Sequence, residues 1–146
     1  MRKVQMIISV SLLIVALISV RVFESNLFYD PFNFYFKSNF QNLPIPDFNI
    51  VRLTYSLTLR FLINLTISLS IIWVLFKNKT YLKASLWVHF TFFVILLTSF
   101  IIFSEFESNW IKMLLFYIRR FLIHPIFLLI LVPGFYFIQF KKTQIK

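Results

Sequence analysis

Apolar residues in this chain fall into four long runs, and most of the charge lies in the short stretches between them. The first run, Val4 to Val20, is preceded by Arg2 and Lys3 and followed by Arg21. A basic start and an apolar run also describe a signal peptide, but Ala16 to Val22 offers no small-x-small cleavage site. The pattern predicts a retained membrane-spanning helix over about 4–22. Phe48–Phe76 is the second run and predicts a span over about 52–76. Its polar residues recur at every fourth position: Arg52, Ser56, Arg60, Asn64 and Ser68. A four-residue step turns slowly round an α-helix, so these side chains form one slanting stripe. Lipid offers such a stripe nothing, whereas neighbouring helices can hydrogen-bond through it, and the chain's own helices are the expected partners.

Ala84–Phe103 is the third predicted span, entered through Lys77, Lys79 and Lys83 with Trp73, Tyr81 and Trp87 as an aromatic belt. Glu105 and Glu107 mark its exit, and Ser108 or Asn109 can cap the next helix. Trp110–Ile123 is helical by pattern, with Lys112 and Arg119 on one face and Arg120 on the adjoining side. Pro125 disfavours the α conformation at His124 and removes an amide donor. The fourth span is therefore expected over about 113–140, kinked near 124–125, irregular at Pro133-Gly134 and closed by Lys141-Lys142.

The stretch between the first two spans, 23–50, is an aromatic loop. Asp30-Pro31 is a favourable helix start, because Asp caps free N–H groups and Pro fits the first helical position. Phe32, Tyr35, Phe36 and Phe40 then share a face, Asn33, Lys37 and Gln41 line another, and Phe34 points away. Two readings stay open: a short interfacial helix with its rings in the acyl boundary, or a lid packed on the spans. Leu43-Pro44-Ile45-Pro46 returns the chain to extended backbone, and Asp47 is placed to cap the next helix.

Composition supports this picture. Of 146 residues 60% are hydrophobic, 14% are charged and 21 are Phe. A soluble domain this small cannot bury so much apolar surface, so the excess must face lipid. The fold class expected is all-α: one polytopic membrane domain over 1–146 with four transmembrane helices. The net charge of +10 suggests nucleic acid at first sight, but the lysines flank apolar runs and form no continuous patch. No nucleic-acid partner is expected. The single glycine excludes a P-loop, a dinucleotide fingerprint, a nucleophile elbow and a Gly-x-x-x-Gly seam. The absence of cysteine excludes a thiolate nucleophile and cysteine metal sites.

Orientation is read from charge density. With Arg2 and Lys3 in the cytoplasm, the cytoplasmic pieces also carry Lys77, Lys79, Lys83, Lys141, Lys142 and Lys146, and no acid. Glu24, Asp30, Asp47, Glu105 and Glu107 all fall outside. Lys plus Arg is nearly even, eight inside and seven outside, but the inner charges are packed into short segments at span ends, where they bear on topology. Both termini are expected inside, in a multi-pass protein of the inner (plasma) membrane.

Arg119 and Arg120 lie within an apolar run, where insertion costs about 2.5–3.5 kcal/mol per Arg at a helix centre. Something must pair them, hold them at an interface, or use them. A zinc site is not expected, since His89 lies toward the inner leaflet and His124 toward the outer. No cofactor is implied. Serine hydrolysis through His124 with Ser104 or Ser108 has no support in spacing. The remaining constellation is basic: Arg60, Asn64, Arg119, Arg120 and His124, with Asp30, Asp47, Glu105 and Glu107 within reach on the same side. The simpler reading has the arginines pairing with these loop carboxylates or snorkelling to lipid phosphates. The sharper one is a cationic recess that grips a carboxylate or phosphate on a partner or a lipid.

Phe28-Tyr29-Asp30-Pro31-Phe32, Arg60-x-x-x-Asn64 and Tyr117-Ile118-Arg119-Arg120-Phe121-Leu122-Ile123-His124-Pro125, taken with the length and the four spans, resemble the small exosortase F-associated membrane proteins of Bacteroidota. The resemblance runs over nearly the whole chain. It implies a non-catalytic accessory of a protein-sorting system, docking a membrane partner, either the exosortase or the membrane tail of a sorted substrate. Exosortases are recognised by a Cys, Arg and His set; without cysteine, this chain is not expected to cleave or transfer peptides itself. The alternative is a small membrane enzyme or lipid-handling protein that uses the Arg119/Arg120/His124 recess on anionic lipid or phosphate.

Overall fold

The computed structural model describes residues 2–144, and every regular element within them is helical. Lys146, counted above among the basic residues, lies outside them. In chain order the elements are α1 (Arg2–Val22), α2 (Glu24–Leu27), α3 (Pro31–Tyr35), a 3₁₀ turn (Phe40–Asn42), α4 (Ile50–Phe76), α5 (Lys79–Phe103), α6 (Asn109–Ile123) and α7 (Ile126–Gln144). Four helices are long and apolar enough to cross a membrane: α1 from Lys3, α4, α5 and α7. The multi-pass expectation rests on these. α4, at 27 residues, is about 40 Å long at about 1.5 Å per residue, so it exceeds a hydrocarbon core of about 30 Å by nearly two turns.

The long helices run up and down. Phe61 stacks on Phe93 with ring centroids 4.1 Å apart, and Phe76 meets Tyr81 edge-on, so α4 and α5 are antiparallel. Tyr81 stacks on Phe135 at 4.6 Å and His89 packs on Phe127, which sets α7 antiparallel to α5. Lys3, Lys77, Lys79, Lys83, Lys141 and Lys142 collect at one end, and all five carboxylates belong to the other, here called the arginine end. α1 packs along α4, and it contributes no buried residue to its apolar window.

Two cores result. Ile71, Ile72, Tyr81, Leu128 and Phe135 form one toward the lysine end. The other, at the arginine end, joins Leu53 and Leu57 of α4, Phe100 of α5 and Leu115, Ile118 and Leu122 of α6 to Phe32, Tyr35 and Phe36. Phe32 is fully buried, its ring 5.1 Å from Phe100 and 5.3 Å from Phe48. The aromatic loop is therefore a lid on the helices rather than an interfacial helix. Phe34 points away, as its position predicts, and is 73% exposed. The helix is shorter than the pattern through Gln41 suggests. Lys37 N–H bonds back only to Phe34 O, a 3₁₀ geometry, and Tyr35 Oη donates to Phe40 O and Leu43 O, turning the chain over its own ring.

Several local expectations are corrected. Asp30 sits at the N-cap position of α3 but makes no capping bond, because its carboxylate is engaged elsewhere. Asn49, not Asp47, caps α4, its Oδ1 accepting from Arg52 N–H at 3.0 Å. α5 begins at Lys79 rather than Ala84, because Asn78 Oδ1 accepts from Thr80 N–H at 2.8 Å and starts the helix early. Ser108 stands at the N-cap of α6 without a side-chain bond. The predicted fourth span is two helices. His124 is extended (φ −94°, ψ 145°), as the following proline demands, and only α7 is a candidate span. Pro133 does not disturb α7, which continues through Gly134; one missing N–H is tolerated when every other backbone bond of an apolar helix is kept. On α4 the polar stripe packs inward: Ser56, Arg60, Asn64 and Ser68 are buried, and Arg52, in the first turn, is exposed.

Candidate functional site

α2 turns the chain immediately after α1, and extended backbone from Phe28 then lays the next residues across α4. In extended chain alternate side chains face the same way. Phe28 and Asp30 accordingly point inward and are buried, and Tyr29 is exposed. Asp30 arrives over Arg60 of α4 and Arg119 of α6. Arg119 donates to it from Nη2 at 2.6 Å and from Nε at 3.1 Å, a forked, charge-assisted contact, and Arg60 Nη1 donates at 3.2 Å. Glu24 adds a weaker contact to Arg60, 3.8 Å away. The Phe28 ring lies 4.7 Å from the Arg60 guanidinium carbon, within cation–π range.

Arg60 is only 1% exposed, so the cluster is a buried ion network rather than a surface pair. Its Nε and Nη2 have no hydrogen-bond partner among the described residues. One turn along α4, Asn64 Nδ2 donates to the Ile123 carbonyl at 2.7 Å, fixing the break between α6 and α7. Beyond that break Arg21, at the end of α1, reaches His124: its Nη1 lies 2.8 Å from Nε2 and 3.0 Å from Nδ1, donating to the ring edge. Burial, and then the charges of Arg21, Arg120 and Arg119, push the His124 pKa down to about 4, so the ring is neutral at pH 7. Arg120 is exposed on the outer side of α6.

The structure thus joins Arg60, Asn64, Arg119, Arg120 and His124 at one end, with Asp30 among them. It separates the other three proposed charge partners. Asp47, Glu105 and Glu107 are exposed and line a different depression, between the start of α4 and the end of α5. The extended stretch after the 3₁₀ turn carries Asp47 away from the arginines, and Glu105 and Glu107 leave with the end of α5. Ser104 Oγ donates to Ile101 O at 2.7 Å, within its own turn. Lys112 is buried on α6, where Nζ donates to Leu43 O at 2.6 Å and to Gln41 O at 3.5 Å, strapping the end of the lid down. His89, buried on α5, lies 2.8 Å from Ser85 O through Nδ1.

Sequence reasoning missed Arg21, Glu24 and Phe28. Arg21 looks like an ordinary stop residue, and its contact with His124 spans 103 positions, which no local periodicity reports. Phe28 and Glu24 carry a signal only once Asp30 is known to turn inward. The arrangement can bind anions and tie elements together; among the described residues neither His124 nor Asp30 faces a hydroxyl nucleophile within hydrogen-bond reach. Comparison with known proteins gives no matching family model, no matching curated protein and no matching solved structure.

Proposed function

We propose that this chain is a non-catalytic, four-pass accessory protein of an inner membrane, with both termini in the cytoplasm, that docks a membrane-protein partner through its arginine end. The observation that carries the reading is the outer face of α6. Trp110, Tyr117 and Phe121 are exposed there at helical spacing, 78%, 49% and 39% respectively, beside the exposed Arg120. Trp, Tyr and Arg are the side chains that concentrate binding energy at protein interfaces. α6 is not itself a candidate span, and its opposite face is occupied by Lys112, Leu115, Ile118 and Leu122 in the core. Orientation is supported by the gathering of lysines at one end and of every carboxylate at the other. The sorting-system partner, an exosortase or the membrane tail of its substrate, is supported by the sequence resemblance alone. A role without catalysis is supported by His124, which faces Arg21 where a base would need an orienting carboxylate.

Co-purification of the full chain with a co-expressed exosortase tests the docking. Tyr117→Ala combined with Arg120→Glu should abolish recovery of the partner and change stability by no more than about 0.5 kcal/mol, since both side chains are exposed. Arg119 is unsuitable for this purpose because it holds Asp30. Undiminished recovery with the double variant would sink the model. Topology is tested separately, the natural chain having no cysteine. Ser38→Cys in intact cells should react with an impermeant thiol reagent and Lys79→Cys should not; the reverse labelling would invert the orientation.

A further inference from the structure

Two cavities meet at the Arg21–His124 contact. One, of about 370 Å³, lies between α1 and α7 and is largely apolar, with Leu17, Ile18, Ile126 and Leu129 in its wall. Ile18 and Leu129 are 57% and 71% exposed, so this cavity opens on the flank of the bundle. The other, of about 290 Å³, lies under the lid and is polar, with Asn33, Lys37 and Arg119 in its wall. Arg21, Glu24, Arg120 and His124 line both. The first alone falls within the usual range of small-molecule sites, about 300–1,000 Å³.

The charges around this junction do not balance. Four guanidinium groups (Arg21, Arg60, Arg119 and Arg120) and the ammonium of Lys37 stand against two carboxylates, Glu24 and Asp30, which leaves three positive charges unmatched. Glu24 is engaged by Arg60, and Asp30 by Arg60 and Arg119, and among the described residues no carboxylate pairs with Arg21 or Arg120. Arg21 uses only Nη1 on the neutral His124. Arg60, almost fully buried, lines the apolar cavity with two nitrogens still lacking an acceptor. Buried donors left in this state at Arg60 are costly, whereas Arg21 and Arg120 are exposed at the rim, and an anion is the group that would engage all three. Arginine forks match phosphate oxygens, and a phosphate monoester brings about −1.5 to −2 charges at pH 7, offsetting more of the surplus than a singly charged anion would. An acyl chain attached to it would lie along the apolar cavity toward the open flank.

We infer that Arg21, Arg60 and Arg120 bind the headgroup of a lipid bearing a terminal phosphate monoester, with its chain between α1 and α7. This site is distinct from the α6 docking face, sharing only Arg120 with it, and it does not depend on a protein partner.

Native mass spectrometry of the purified full chain in detergent tests it, with oleoyl lysophosphatidate, monooleoylglycerol and inorganic phosphate as probes. The expected result is one bound lysophosphatidate, at least about tenfold weaker binding of the neutral glyceride, and weaker binding of inorganic phosphate by a similar factor. Arg21→Gln should weaken lysophosphatidate binding by at least about tenfold, and Leu17→Trp should block it by filling the cavity. A melting curve of each variant establishes that it is folded; if Leu17→Trp is not, Ile18→Trp replaces it. Equal binding of the glyceride, phosphate binding as tight as the lipid's, or folded variants that bind like the parent would each overturn the assignment. Tyr117→Ala leaves this binding intact, so a failed docking experiment and a failed lipid experiment are distinguishable.

Discussion

Asp30→Ala should destabilise the protein by about 3–5 kcal/mol, the cost of leaving a buried charge without its partner. Two arginines lose their principal counter-ion at once. Among the described residues Arg60 has only Glu24, 3.8 Å away, to fall back on, and Arg119 has no second carboxylate. The carboxylate side chain is 3% exposed, so salt should screen the effect little. Thermal unfolding in detergent micelles, followed by circular dichroism, reads the loss. Asp30→Asn keeps an acceptor oxygen but not the charge and should fall between the two. The triple change Asp30→Asn, Arg60→Met and Arg119→Leu should recover much of the stability, because apolar replacement of a whole buried ion network is often neutral or better. If Asp30→Ala melts like the parent, the network is not what holds the lid.

Phe32→Ala should cost about 3–5 kcal/mol, the range for emptying a fully buried aromatic site. The residue has no exposed surface and touches rings from the loop and from α5. Phe34→Ala, two positions on and 73% exposed, is the matched control and should move stability by less than about 0.5 kcal/mol. The pair separates the two readings of the aromatic loop. A ring immersed in lipid could be removed with little effect on unfolding in detergent, whereas a ring at the centre of a core could not. Equal melting of the two variants would mean that the lid does not pack as described.

The long helices were readable in the sequence because an apolar run of sufficient length has few alternatives in a membrane protein. The break at His124 was readable for a different reason: it arises from steric conflict with the proline one position away. The stripe on α4 was readable in direction, since a four-residue repeat must share a face, and Ser56, Arg60, Asn64 and Ser68 are buried together. What each stripe residue bonds to was not. Five carboxylates carry the same charge, and the choice of Asp30 depends on where a tight turn at α2 and an extended step at Phe28 deliver it. Capping misled at the same position for the same cause. Aspartate is a favoured cap in isolation, but two guanidiniums outbid the backbone amides. Helix starts shifted by a few residues wherever an asparagine, Asn49 or Asn78, supplied the cap instead.

The strap at Lys112 has a consequence for motion. α6 fastens the lid at both ends: Arg119 holds Asp30 at its beginning, and Lys112 holds the carbonyls of Gln41 and Leu43 at its close. The two fastenings stand seven residues, nearly two turns, apart on one rigid helix. The segment from Asp30 to Leu43 therefore cannot swing open about either end without parting from the same helix at both. It should exchange its amides and unfold together with α6 as a single cooperative unit, which hydrogen-exchange mass spectrometry would read. A ligand of the cavity between α1 and α7 would accordingly enter from the open flank, with no need for the lid to move.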